Sequence, residues 1–174
     1  MVDDFRAKNP HLKEFFPYLD LLAKESGRGQ VLISTGFLEQ QLKDVLLAHM
    51  IAVNQASELV DGANAPLGTL SARTSACFVL GLISEDEHHD LVLIRRIRND
   101  FAHHIHTSFA TQSVIDRCKE LRLKAHDYTS EKMGEVVVPP AGQFQTAAVG
   151  LIMNLTNRAE YVSRKRTTYG NWPR

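Results

Sequence analysis

Cysteine is nearly absent from this sequence. Cys77 and Cys118 are the two copies, so no disulfide framework organises the chain, and both stand in apolar, helix-like surroundings as free thiols suit a reducing compartment. Net charge is absent too: 20 basic and 20 acidic residues cancel, and the pI is about 7.1. Free-standing DNA-binding domains carry a basic balance because phosphate contacts dominate their affinity, so direct DNA binding is not expected. There is no long apolar run. The longest charge-free stretch, residues 141–157, carries several Gln, Thr and Asn and is too polar to span a membrane. The first residues, MVDDFRAKN, hold no apolar signal core, so the expected location is the cytoplasm. Repeats, low-complexity tracts, glycine-rich phosphate loops and nucleophile elbows are all missing. A helix-turn-helix reader would need polar residues projecting from its second helix. The helices around Ile83 and Ser84 have the spacing, but the second leads with acids that phosphates repel.

What is present is helical periodicity. Hydrophobic residues make up 44% of 174 positions, enough for the core of one domain. The expected fold is an all-α, single-domain bundle of about six helices over residues 1–174, with 167–174 as a flexible basic tail. Asn9 and Pro10 open a first helix that Pro17 should kink or split, and Gly27-Arg28-Gly29 should end it. A second helix is expected from Gln30 to about Ser57, with Glu39 on its solvent side and Gly36 at a close helix contact. A loop at Asp61 to Pro66 leads into a third helix that ends near Ile83. A fifth runs from Gln112 to Lys124, and a last from about Gln143 to Arg166. Between them, Val136 to Val138 should be one short extended strand stopped by Pro139-Pro140, an excursion without a sheet.

The chemistry concentrates in Leu91 to His106, LVLIRRIRNDFAHHIH. Ser84 and Glu87 form a capping box at the start of this helix, and three acids in its first turn suit the positive end of the dipole. At about 100° per residue, Leu91, Ile94, Ile97, Phe101 and Ile105 share one buried face, with Arg98 inside the same arc. Arg95, Asn99 and His103 make a ridge beside that face, and Asp100 points to solvent. Five of the eight histidines lie in residues 88–106. His88 and His89 are adjacent, as are His103 and His104, so neither pair shares a helix face, and no metal or cofactor is implied.

Arg98-Asn99-Asp100-Phe101-Ala102-His103 resembles the signature of the HEPN domains, all-helical and often dimeric proteins that include metal-independent ribonucleases. That resemblance implies Arg98 binding a scissile phosphate, His103 moving protons and Asn99 orienting one of them, at a cleft between two subunits; RNA is then a possible partner. The competing reading makes Arg98 a buried structural ion pair and His103 a helix cap. Arg95, Asp100, His104 and Arg73 are the candidate binding residues around this core; Arg73 either shares a pocket with Arg98 or is exposed or structurally paired.

Pro66-Leu67-Gly68-Thr69-Leu70-Ser71-Ala72-Arg73, then Leu80-Gly81-Leu82-Ile83, then Ile94 to His103, together resemble the mannitol operon repressor (MltR) family. These motifs cover roughly a quarter of the chain. The resemblance implies a cytoplasmic bacterial regulator of transcription, helical throughout, that works through protein partners and without a recognised DNA-binding motif. A homodimer and no cofactor are expected.

Overall fold

The computed structural model describes residues 9–62, 64–130, 132 and 134–173. The described residues form a mostly helical bundle of seven α-helices and one small hairpin. In chain order these are α1 (Phe15–Leu22), α2 (Gly27–His49), α3 (Asn54–Val60), α4 (Leu70–Val79), α5 (Glu85–His103), α6 (Gln112–Glu120), β1 (Tyr128–Ser130), β2 (Gly134–Val136) and α7 (Pro140–Ser163). A 3-10 turn at Pro10–Leu12 precedes α1.

The two longest helices, α2 and α7, lie against each other along their lengths and carry most of the core. Val31, Leu38, Leu42, Val45 and Leu46 of α2 meet Phe144, Ala147, Ala148, Leu151, Ile152 and Leu155 of α7, all fully buried. The alanines of α7 let the backbones approach, and one polar pair is buried in the seam, where Thr156 Oγ1 donates to Gln41 Oε1 at 2.9 Å. On the other side of α2, α4 and α5 pack together and against it, with Leu91, Ile94, Ile97 and Phe101 turned inward.

Several boundaries differ from the sequence expectation for identifiable reasons. The first helix splits before Pro17, at Lys13–Glu14, so Pro17 falls in the first turn of α1, where its missing N–H leaves no bond unmade. Gly27 opens α2 and does not close the helix before it, because the Ser26 side chain caps α2 by accepting from Gly29 N at 3.2 Å. Gly36 faces open space. The second helix stops at His49, and Met50 turns extended (ψ 158°), which makes Asn54–Val60 a separate seventh helix. The third helix ends earlier than expected, in a Schellman turn. Gly81 adopts φ +68°, its N–H bonds Phe78 O at 3.0 Å, and Leu82 N–H bonds Cys77 O at 2.8 Å. Residues 134–136 do pair into a sheet: Tyr128 faces Val136 and Ser130 faces Gly134, antiparallel.

Buried charges tie α5 into this frame. Ser84 and Glu87 form the expected capping box. Glu87 then does a second job, receiving both guanidinium nitrogens of Arg158 from α7 at 2.6 and 2.9 Å. Asp90, with no exposed surface, accepts the backbone N–H groups of Arg122 and Leu123, each at 2.8 Å, and so fixes the exit of α6. No helix among the described residues is long and apolar enough to cross a membrane.

Candidate functional site

The segment Pro66 to Arg73 is built around a buried arginine. Arg73 is 8% exposed, and it donates to Leu67 O at 2.9 Å, Val60 O at 2.8 Å and Glu39 O at 3.1 Å. Its guanidinium also lies 3.6 Å from the Glu39 carboxylate. One side chain therefore staples the loop, the end of α3 and the middle of α2 together. Arg73 is structurally paired, one of the alternatives the sequence left open, and it does not line the cavity that holds Arg98. Gly68 is required by a close approach: a Cβ there would meet Ala65 O at 3.0 Å. Thr69 caps α4, its hydroxyl accepting from Ala72 N at 3.2 Å.

This loop forms one wall of a cavity of about 440 Å³. The second wall is α2, through Thr35 and Glu39; the third is α5, through Arg95, Arg98 and Asn99. Arg98 is exposed, and Arg95 partly so. Arg98 lies about 40° from Ile94 round the helix, at the rim of the buried arc, where the cavity lets its guanidinium reach water. The buried-ion-pair reading of Arg98 is therefore overturned, because its one bond is to the side-chain oxygen of neighbouring Asn99, at 3.2 Å. Neither Arg95 nor Arg98 has a carboxylate partner among the described residues.

The other sequence candidates lie elsewhere. His103 and His104 line a different opening, with Ile105, His106, Thr107 and Thr111. His103 is five positions beyond Arg98, or about 140° round the helix, so a single chain does not bring Arg98 and His103 into one cleft. His104 is the C-cap of α5, and its carbonyl accepts from Arg28 at 2.9 Å. The same guanidinium reaches Ile105 O at 2.7 Å, satisfying carbonyls that the helix end leaves free. Because α5 ends there, Ile105 leaves the apolar stripe and is 87% exposed. Asp100 is paired, with Arg117 and with Ser113 Oγ at 3.2 Å, and so joins α5 to α6.

The cavity thus gathers two guanidiniums without carboxylate partners among the described residues, an amide and the hydroxyls of Thr69 and Ser71, while the Thr35 hydroxyl is engaged by Val31 O at 2.7 Å. No histidine or cysteine lines it, and its carboxylate, Glu39, is engaged by Arg73. That donor set suits anions. Thr35 and Glu39 went unread in the sequence as site residues, since their spacing of four marks a shared helix face and nothing more. Among the described residues, no three histidine, cysteine or carboxylate side chains cluster as a metal site would need.

Comparison with known proteins yields a fold and no sequence family. No protein-family profile matches the chain, and no curated protein matches it. A solved structure does: the chain is similar to a chain of the MtlR–HPr complex from Escherichia coli, with a TM-score of 0.57 and 19% identity, over 84% of this chain and 95% of that one. The likeness establishes an MtlR-like fold.

Proposed function

We propose that this protein is a regulator of transcription that acts by binding a protein partner, in the cytoplasm and as a homodimer. The observation that carries the proposal is the fold likeness to a chain crystallised with a protein partner, HPr, a likeness that takes in 95% of that chain. The motifs at residues 66–73, 80–83 and 94–103 support the same reading by their resemblance to the mannitol operon repressor family. The zero net charge agrees with action that does not begin at DNA phosphates.

The test is a calorimetric titration of the purified protein with HPr, with the molar mass of the free protein measured by light scattering. Saturable binding supports the proposal; its absence removes the partner that the fold likeness suggests. The alternative, a HEPN-like ribonuclease, requires a dimer that brings Arg98 of one subunit to His103 of the other. It predicts cleavage of single-stranded RNA in the presence of chelator, lost in the Arg98→Ala/His103→Ala variant with the melting curve unchanged. Cleavage of that kind in a protein that ignores HPr would replace the regulator reading.

A further inference from the structure

We propose that the cavity between α2, α4 and α5 is a binding site for a phosphoryl group, held by Arg95 and Arg98. Three observations lead there. First, these two arginines are one helical turn apart on α5, line the same cavity, and have no acidic partner among the described residues. In a chain whose charges otherwise cancel, that leaves a local excess of two positive charges, matched by a dianion better than by a monoanion.

Second, the one carboxylate in the wall is neutralised from beneath. Glu39 faces Arg73 at 3.6 Å, and Arg73 is fixed by three backbone carbonyls, so it cannot swing away when an anion enters. Third, the remaining lining is rich in neutral donors placed on different walls. Thr69 and Ser71 are on the loop and first turn of α4, and Asn99 is on α5, whereas the buried Thr35 hydroxyl on α2 already donates to Val31 O at 2.7 Å. Donors on two different walls suit a tetrahedral oxyanion, whose oxygens diverge, better than a flat carboxylate. About 440 Å³ exceeds what phosphate alone fills, so a small phosphate ester fits as well as the free ion.

The inference is independent of the regulator proposal, and a failed HPr titration leaves it untouched. The experiment measures melting temperature and calorimetric binding at matched ionic strength with inorganic phosphate, glycerol phosphate, malonate and chloride. The expected result is a saturable stabilisation by phosphate or glycerol phosphate beyond that by chloride. Binding should weaken by at least about tenfold per arginine in Arg95→Gln and Arg98→Gln, as loss of a charge-assisted hydrogen bond requires. Arg96→Gln is the control: Arg96 is exposed on the same helix but lines another opening, and its loss should leave binding unchanged. Tighter binding of the ester than of free phosphate identifies an ester site; equal binding identifies a site for the phosphoryl group alone. Phosphate acting no more strongly than chloride, malonate binding as tightly as phosphate, or Arg96→Gln weakening binding as much as the cavity variants would each overturn the assignment. Circular dichroism establishes that the variants are folded.

Discussion

Replacing Arg158 by Met should be among the most damaging single changes on this surface, although the residue is part-exposed. The side chain of Glu87 is 5% exposed, while that of Arg158 is 29% exposed. Burial pushes the Glu87 carboxyl up, but the Arg158 guanidinium and the Ser84 N–H more than offset this, so it sits below its ordinary value of 4.5. Removing the guanidinium leaves a buried carboxylate held by Ser84 alone, chiefly through the capping-box bond from Ser84 N at 2.8 Å. Breaking a buried pair costs about 3–5 kcal/mol. The retained Ser84 bond and the water already reaching Arg158 place the loss near the lower end, about 3 kcal/mol. For a domain of this size, that is a drop of about 6–12 °C in melting temperature. The pH dependence has a definite sign. A depressed folded-state pKa stabilises above the unfolded value and the gain is lost as pH falls through the folded one. The gap between parent and Arg158→Met should therefore be widest above about pH 4.5 and narrow under acid, where protonation removes the buried charge. The Glu87→Gln/Arg158→Met double variant should regain most of the loss. Urea denaturation across pH measures all three proteins. A loss under about 1 kcal/mol at neutral pH, or a gap that does not shrink in acid, would refute the reasoning.

Two further outcomes follow from buried groups. Asp90→Ala should leave the N–H groups of Arg122 and Leu123 without their acceptor. The cost is about 2–5 kcal/mol for two unsatisfied donors, and hydrogen exchange should accelerate at those two amides first; unchanged exchange there would rule out the latch. Burial pushes the thiols of Cys77 and Cys118 up to about 12. Both should resist a disulfide reagent at mildly alkaline pH and react fully in denaturant, and rapid labelling of the folded protein would contradict their burial.

The sequence was most legible where the determining contacts are local. The Ser84–Glu87 capping box spans three residues and both halves are present. The apolar stripe from Leu91 to Phe101 is buried as its period requires. The partner of Glu87, however, is 71 residues away, and nothing in either segment announces the other. The same holds for Arg73, whose value as a staple depends on Val60 and Glu39 arriving from different helices. Arg98 shows the limit of a helical wheel. The wheel gives its angle, but whether that angle meets side chains or a cavity depends on how closely α4 approaches. The hairpin was missed because strands of three residues are too short to carry a period of two.

Because α2 is covered mainly by α7, the bundle closes on its last helix. The polar contact in that seam joins residues 115 positions apart, and Thr167 N–H finishes the far end of α2 by donating to His49 O at 3.0 Å. During synthesis, the other described helices leave the ribosome while the face of α2 that α7 will cover is still open, with only α4 and α5 able to pack on its other side. Contacts of such sequence separation slow folding, and an exposed stripe of this kind invites association with other nascent chains. A stop codon or frameshift within residues 140–163 would therefore yield an aggregating chain, even though six of the seven described helices and the whole Arg95–Arg98 cavity wall would be encoded intact.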